Sequence, residues 1–572
     1  MWIPESRELE NNPGAVFLIA GWQELFYGFT PDSFQPRLHN VASLANEFID
    51  LGVKFGSQPR LISQIERVRE ELAERCKHEA LLLAQIPRYQ SRLKQLINAQ
   101  TSQEIVAIGE IIIEDAEYYR SAFEKHAQTS IDCLPKGKED ALECLRNLAT
   151  FALQKGKEDD DVWLPLSKDE NRNPQDIFSD MVKLTREGKK SYNCTFTVTG
   201  THDGLHSVVN KLKYKVVRAS ELSKEYLGQI DSTGKNCLHI QICVRSHSIR
   251  SAVAEARRRL SHCIGYVSLY TNPPALRIES KAFVTVGGLD QVFVQNEQAF
   301  RRLHRRTRAK SDISELVKHI SKRRLDKRLL AAIEQLALAS GSSDPRTRFI
   351  TLWSAMETLA GAHEGETTME RVSNLVVPLV VSRHIHRTTR YLSIQIQKFS
   401  EEFNISNLGP GLSTRSGFVL QEDVLRTLTS PNCSPEMIGV LNAINHPLLR
   451  CRLFTTWKLF HCPKRLRNKL KGSEQRIGWQ LARIYRARNA LVHEGEEVKF
   501  IVPLLDNLQN YLSMVVQRIV HESKSHPNWT IRGILEFWKG RMQHAYRCLD
   551  ECPQQLNTRD FLEKGSEFAL WK

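Results

Sequence analysis

Gln480-Leu481-Ala482-Arg483-Ile484-Tyr485-Arg486-Ala487-Arg488-Asn489-Ala490-Leu491-Val492-His493 is followed, one residue on, by Gly495. Leu481, Ile484 and Tyr485 recur at the three- and four-residue spacing that lines one face of a helix. Gly495 is the residue type that closes such an element. The stretch therefore predicts an amphipathic helix over 480–493. The same period lies on both sides of it. Phe349, Leu352, Met356 and Leu359 predict a helix with Asp344-Pro345 at its start and Gly361 at its stop. Leu505, Leu508, Leu512, Val515 and Ile519 predict another over Val502 to Val520. From about Asp312 onward the chain reads as a helical bundle.

The last turn of the 480–493 helix carries chemistry. Asn489 and His493 are four apart and project from one side. Arg488 follows Ile484 by four and lies ~140° around an α-helix from His493. An imidazole can act as general base or acid near neutral pH. A guanidinium offers a fixed fork of donors to phosphate oxygens. An asparagine can orient the histidine or hold the phosphate. RNA brings its own nucleophile, the ribose 2′-hydroxyl, so these groups suit RNA cleavage without a metal. As a bare pattern an arginine followed five later by a histidine is common. The acidic neighbours Glu494 and Glu496 could equally pair with it.

Upstream of the bundle the pattern changes twice. Leu61, Ile65, Val68, Leu72 and Cys76 form one helical stripe, and Ile105, Ile108, Ile112 and Tyr119 a second, with Pro87 between them. Residues 1–155 therefore read as mainly helical. The stretch Lys155 to Pro174, with Asp159-Asp160-Asp161, reads as a charged linker. Beyond it, Tyr192, Cys194, Phe196 and Val198 alternate with polar residues, as do Leu238, Ile240, Ile242 and Val244. Ala275 to Val286 predicts a further strand, and Ser248 to Cys263 a helix with Ser248 as its cap. Residues 175–295 form a small α+β domain on this reading. They contain no phosphate-loop motif or dinucleotide fingerprint, and the chain shows no internal repeat.

Composition sets outer bounds. A chain of 572 residues is too long for one core and predicts three or so domains of ~100–200 residues. Its 41% hydrophobic and 25% charged content is that of an ordinary soluble globular protein. With 80 Lys and Arg against 65 Asp and Glu the net charge is +15, which favours a polyanionic partner. Three basic clusters concentrate it: Arg301, Arg302, Arg305, Arg306, Arg308 and Lys310; Lys322, Arg323, Arg324, Lys327 and Arg328; and Lys464, Arg465, Arg467, Lys469 and Lys471. Together they fit an electrostatic track for a phosphate backbone, although any one run is as easily a solvated face. No aromatic platform for base-specific reading accompanies them. Twelve cysteines without a CxxC pair point to free thiols in a reducing compartment. Ala15 to Gly21 is too short an apolar run for a leader or a membrane span, so a cytoplasmic protein with no membrane contact is expected. His384 and His386, beside Arg383 and Arg387, lack the further ligands of a metal site and read as surface residues. No cofactor is expected. His262 and Cys263 point ~100° apart on a helix, and Cys263 reads as a buried thiol.

Arg488-Asn489-Ala490-Leu491-Val492-His493-Glu494-Gly495 resembles the motif of HEPN domains, in particular the Apea-like branch. The helix Phe349 to Leu359 is similar to the first helix of that branch. The resemblance covers roughly residues 310 to 525. It implies a helical bundle that dimerises, so that two motifs meet in one composite cleft. It implies a metal-independent endoribonuclease, with Arg488 and His493 as the catalytic pair and Asn489 as the polar residue beside them. Some members add an acidic residue from an earlier helix, and Glu357 takes that place here. The implied products are a 2′,3′-cyclic phosphate and a 5′-hydroxyl. The implied setting is anti-phage defence or toxin-type growth arrest, with RNA as substrate, a phage-derived trigger, and the other regions as sensors. The chain departs from the family in a long insertion, about residues 362–475, between the two matching helices. The expected fold is thus mainly α: a helical N-terminal region over 1–155, an α+β domain over 175–295, and a HEPN-like bundle over 310–572. A non-catalytic RNA- or partner-binding protein is the alternative. A DNA-binding regulator would rest on charge alone, since no helix-turn-helix is defensible.

Overall fold

The computed structural model describes residues 13–26, 39–56, 61–78, 89–115, 138–154, 174–186, 188–200, 203–229, 237–270, 276–287, 289–294, 326–342, 344–361, 367–405, 408, 412, 414–415, 418–430, 435–496, 498, 501–526 and 528–551. The fold is mainly α with one small α+β part. Residues 143–299 form one compact unit, and residues 1–142 with 300–572 form another.

In the middle unit, alternation sets the sheet. Strands β1 (Lys190–Thr199), β2 (Lys215–Val217), β3 (Cys237–Ser246), β4 (Arg277–Val286) and β5 (Leu289–Val294) make an antiparallel sheet in the order β2-β3-β1-β4-β5. Phe196 faces Ile240 across one ladder and Ala282 across the other. Tyr192, Cys194, Phe196 and Val198 bury one face against Ala252, Val253, Ala256 and Leu260 of a long helix, Ile249–Tyr270. Ser248 caps that helix through its hydroxyl, which accepts from the Ser251 amide at 3.1 Å. Cys263 is buried in this core and His262 is exposed, as their ~100° separation requires. The opposite face carries Thr197, whose Oγ1 lies 3.0 Å from Tyr226 Oη and 2.9 Å from His239 Nδ1. Strands β2 and β5 are edge strands, too short or too polar to alternate clearly.

In the other unit the N-terminal helices are α1 (Pro13–Phe26), α2 (Val41–Phe55), α3 (Ile62–His78), α4 (Tyr89–Asn98) and α5 (102–115). The stripe Ile65, Val68, Leu72 and Cys76 is fully inside, and so are Ile105, Ile108 and Ile112. Tyr119, Pro87 and the acidic run 159–161 lie outside the described residues. A capping box starts α2: Asn40 Oδ1 accepts from the Ser43 amide and Ser43 Oγ from the Asn40 amide, both at 2.9 Å. Helices α2 and α5 approach closely at Gly52 and Gly109, where a Cβ would stand 2.4 Å from Ile105 and 2.5 Å from Ile49.

The C-terminal bundle uses α6 (Pro345–Ala360), α7 (Thr368–Val381), α8 (Pro463–Asn489), α9 (Ile501–Ser525) and α10 (Ile531–Glu551). Asp344 caps α6 by accepting from the Thr347 amide at 2.8 Å, with Pro345 in the first turn. Its stop, Gly361, is right-handed, so the helix ends there without a left-handed cap. Helix α7 packs against α6, α8, α9 and α10 at once. Residues 368–381, within the expected insertion of about 362–475, therefore contribute to the bundle core. Val372, Leu375, Val376, Leu379 and Val380 bury too much apolar surface for a peripheral helix. After it come the helix His384–Glu402 and a two-stranded sheet of Thr414–Arg415 and Phe418–Val419.

Two further readings change. His384 is buried, not on the surface, and Arg387 donates from Nη1 to Met514 Sδ at 3.4 Å. Burial, and then the neighbouring Arg383 and Arg390, push the Arg387 guanidinium down to about 9. The N-terminal helices, expected as a region of their own, belong to the same unit as the bundle. Arg452 Nε donates to Glu24 Oε2 of α1 at 3.1 Å, and the Tyr391 hydroxyl donates to the other oxygen. Among the described residues, no helix is long and apolar enough to cross a membrane.

Candidate active site at the end of a long helix

Helix α8 runs 27 residues, and its regular turns end at Asn489. From Ala490 to Glu494 the backbone opens into a π turn, closed by Gly495 in the left-handed region at φ 62°. The Gly495 amide donates back to the Ala490 carbonyl, and the Glu496 amide reaches the same oxygen at 3.1 Å. A π turn joins residues five apart, where an α turn joins residues four apart. That widening abolishes the ~140° offset expected for an α-helix and turns Arg488 and His493 toward each other.

Arg488 Nη1 lies 2.9 Å from His493 Nε2 and 3.2 Å from Asn489 Oδ1. A guanidinium only donates, so His493 Nε2 accepts. In this contact the lone pair of Nε2 is held against a cation. Asn489 orients the arginine, not the histidine. Its carbonyl takes one of the two Nη1 protons and the histidine takes the other. Nε and Nη2 of Arg488 bond to none of the described residues, which leaves a fork of donors available to a phosphate. Arg488 and Asn489 are half-buried, whereas His493 is exposed. An imidazole, a guanidinium and solvent access thus meet within one turn.

The other expected site residues are placed differently. Glu357, half-buried in α6, accepts from Trp353 Nε1 at 2.7 Å. The Trp353 ring lies 5.7 Å from that of Tyr485, one turn before Asn489. Glu357 is linked to the site through this aromatic pair, and no hydrogen bond joins it to Arg488 or His493 among the described residues. Lys464, Arg465 and Arg467 lie at the opposite end of α8, roughly 32 to 36 Å away along its axis. Lys464 and Arg465 are exposed there, and Arg467 Nε contacts Asp550 Oδ1 at 2.6 Å. Arg301, Arg302, Arg305 and Arg306 lie outside the described residues. Among the described residues, no group of three or more His, Cys, Asp and Glu is arranged to hold a metal ion.

The structure adds residues that local sequence patterns do not flag. Arg483 donates to Glu47 from Nε at 3.0 Å and Nη2 at 2.8 Å, and to Glu71 at 2.7 Å. Arg486 also donates to Glu47. Burial would raise the Glu47 carboxyl, but Arg483 and Arg486 outweigh it and hold the group well below the usual carboxylate range. Burial depresses Arg486, whereas at Arg483 the two carboxylates overcome burial and raise it. His39 beside them is kept neutral by burial and by Arg483. At the tip of α2, Lys54 Nζ contacts Glu494 at 2.9 Å and Glu496 at 2.7 Å. These partners are more than 400 positions apart in the chain, so only folding reveals them.

Comparison of the chain with protein-family models, with curated proteins and with solved structures finds no match.

Proposed function

We propose that this chain is a HEPN-type, metal-independent endoribonuclease of the cytoplasm, acting in anti-phage defence or toxin-type growth arrest. The observation that carries the reading is the 2.9 Å contact of Arg488 Nη1 with His493 Nε2 across the π turn. On this reading an incoming RNA phosphate docks on the open Nε and Nη2 donors of Arg488 and draws Nη1 away from the imidazole. The freed Nε2 lone pair then takes the proton of the ribose 2′-hydroxyl. That oxygen attacks the adjacent phosphorus, and the P–O5′ bond breaks. The leaving 5′-oxygen takes up a proton, from solvent or from a second His493 if two copies share the cleft. Arg488 stabilises the charge that gathers on the phosphate oxygens, and Asn489 keeps its guanidinium in plane. The products are a 2′,3′-cyclic phosphate and a 5′-hydroxyl. The net charge of +15 supports a polyanionic substrate. A homodimer and a phage-derived trigger complete the proposal.

The test is incubation of the purified full chain, and of its Arg488→Ala and His493→Ala variants, with total RNA in EDTA, followed by end-group analysis. Cleavage by the parent alone, leaving cyclic phosphate ends, supports the reading. Equal cleavage by the parent and His493→Ala refutes the assignment. RNA binding without cleavage by all three, with and without a phage lysate, favours a non-catalytic binder.

A further inference from the structure

The tip of α2 reaches the turn that carries His493. Lys54 is the next-to-last residue of α2, and its ammonium bridges Glu494 and Glu496. Those two glutamates bracket Gly495, whose left-handed backbone closes the π turn. The middle of the same helix is fixed to α8 by the Glu47–Arg483 contact, which Glu71 of α3 shares, so Lys54 projects from an anchored support. Further anchoring comes from Ser102 Oγ, which donates to the Gly52 carbonyl at 2.6 Å. Burial lowers the Lys54 ammonium, and its interactions with Glu496 and Glu494 together outweigh this and raise it. Lys54 and the two glutamates are each about one-third to one-half exposed. Such pairs add little to global stability. Their placement bears instead on one local choice, whether the chain after Asn489 closes as a π turn.

We infer that Lys54 is a positioning residue for the candidate site, holding Glu494 and Glu496 so that the π turn presents His493 Nε2 to Arg488. This deepens the ribonuclease reading and rests on it for the kinetic part of the test only. Without the clamp the turn relaxes, and His493 swings away from the guanidinium. Lys54 thereby sets the competence of a site whose reacting groups all lie more than 430 residues downstream of it.

The test uses the full chain and two readouts. The first is the rate at which diethyl pyrocarbonate acylates His493, followed by peptide mass spectrometry. The reagent needs an unprotonated ring nitrogen, and Nε2 is shielded by Arg488 in the closed turn. The second is RNA cleavage, with kcat and KM separated. In Lys54→Ala, acylation of His493 rises about 3- to 10-fold and kcat falls by a similar factor, the combined worth of two exposed ion pairs. KM stays constant, and Lys54→Arg restores both values. Val53→Ala, at a neighbouring position that is 63% exposed, behaves as the parent. Identical acylation in Lys54→Ala and Val53→Ala overturns the inference. So does a rise in KM at constant kcat, which would make Lys54 a direct RNA contact. If the parent cleaves no RNA but Lys54→Ala still exposes His493, the ribonuclease reading fails and the positioning role stands.

Discussion

At the scale of the residue, two side chains illustrate how environment sets chemistry. Arg488 works as a planar fork: one nitrogen is spent on Asn489 and His493, and the others bond to none of the described residues. A lysine at this position would keep the charge and lose the fork. Arg488→Lys is therefore expected to cut the RNA cleavage rate about 100-fold or more, close to Arg488→Ala, in single-turnover assays. His39 behaves in the opposite sense to an exposed histidine. It is buried beside Arg483 and stays neutral in the folded chain, whereas the unfolded chain binds a proton near pH 6.5. The unfolded state thus takes up more protons below that pH, and stability falls as pH drops through it. Urea unfolding is expected to show a loss of about 1 kcal/mol between pH 7.5 and 5.5, removed by His39→Gln. A parent whose stability is flat over that range would contradict the assignment. Glu47 acts in a lower window: its depressed carboxyl stabilises above the ordinary carboxylate pKa, and that contribution is lost as pH falls below it.

At the scale of the element, the deciding features are where a regular helix stops being regular and where two helices touch. The hydrophobic period identified α8 around residues 480–489, but an α-helical extrapolation to His493 put its ring on the wrong side of Arg488. The π turn is set by closure at Gly495 and by the clamp on Glu494 and Glu496, neither of which a periodicity records. The contact of α2 with α5 is as tight as backbone allows. A methyl at Gly52 would stand 2.4 Å from Ile105 Cγ2, inside van der Waals contact. Gly52→Ala is expected to cost about 1–3 kcal/mol in a denaturant midpoint measured at constant slope. It also tilts α2, so a fall in RNA cleavage beyond that explained by unfolded protein would follow from the displacement of Lys54.

At the scale of the whole molecule, the two compact units do not follow the linear order of the chain. Residues 1–142 share a unit with 300–572, and the α+β unit is spliced between them. Glu24, Glu47 and Glu71 are the carboxylate partners of Arg452, Arg483 and Arg486 in the C-terminal helices. A fragment of residues 300–572 would strip those arginines of their carboxylate partners and uncover the core that Val16 of α1 shares with the bundle. That fragment is expected to aggregate or to melt without cooperativity, whereas a fragment of residues 143–299 folds with the circular dichroism of a mixed helix and sheet. A cooperative, monodisperse 300–572 fragment would show that the N-terminal helices are dispensable for the bundle.

The sequence by itself determined what local physics encodes. Helical period, strand alternation, the caps at Ser248 and Asp344 and the closing Gly495 are properties of short windows, and they place most elements and the Arg488-Asn489-His493 constellation. Tertiary structure alone decided the rest. It made α7 a core helix and buried His384. It separated Lys464 and Arg465 from the site and brought Lys54, Glu47 and Glu71 to it. The burial and the ion pairs depend on packing surfaces and charges far apart in the chain, whereas Lys464 and Arg465 are set apart by the length of α8. A periodicity can say that a face is apolar or a residue charged, and only the folded chain supplies the partner that gives the face or the charge its role.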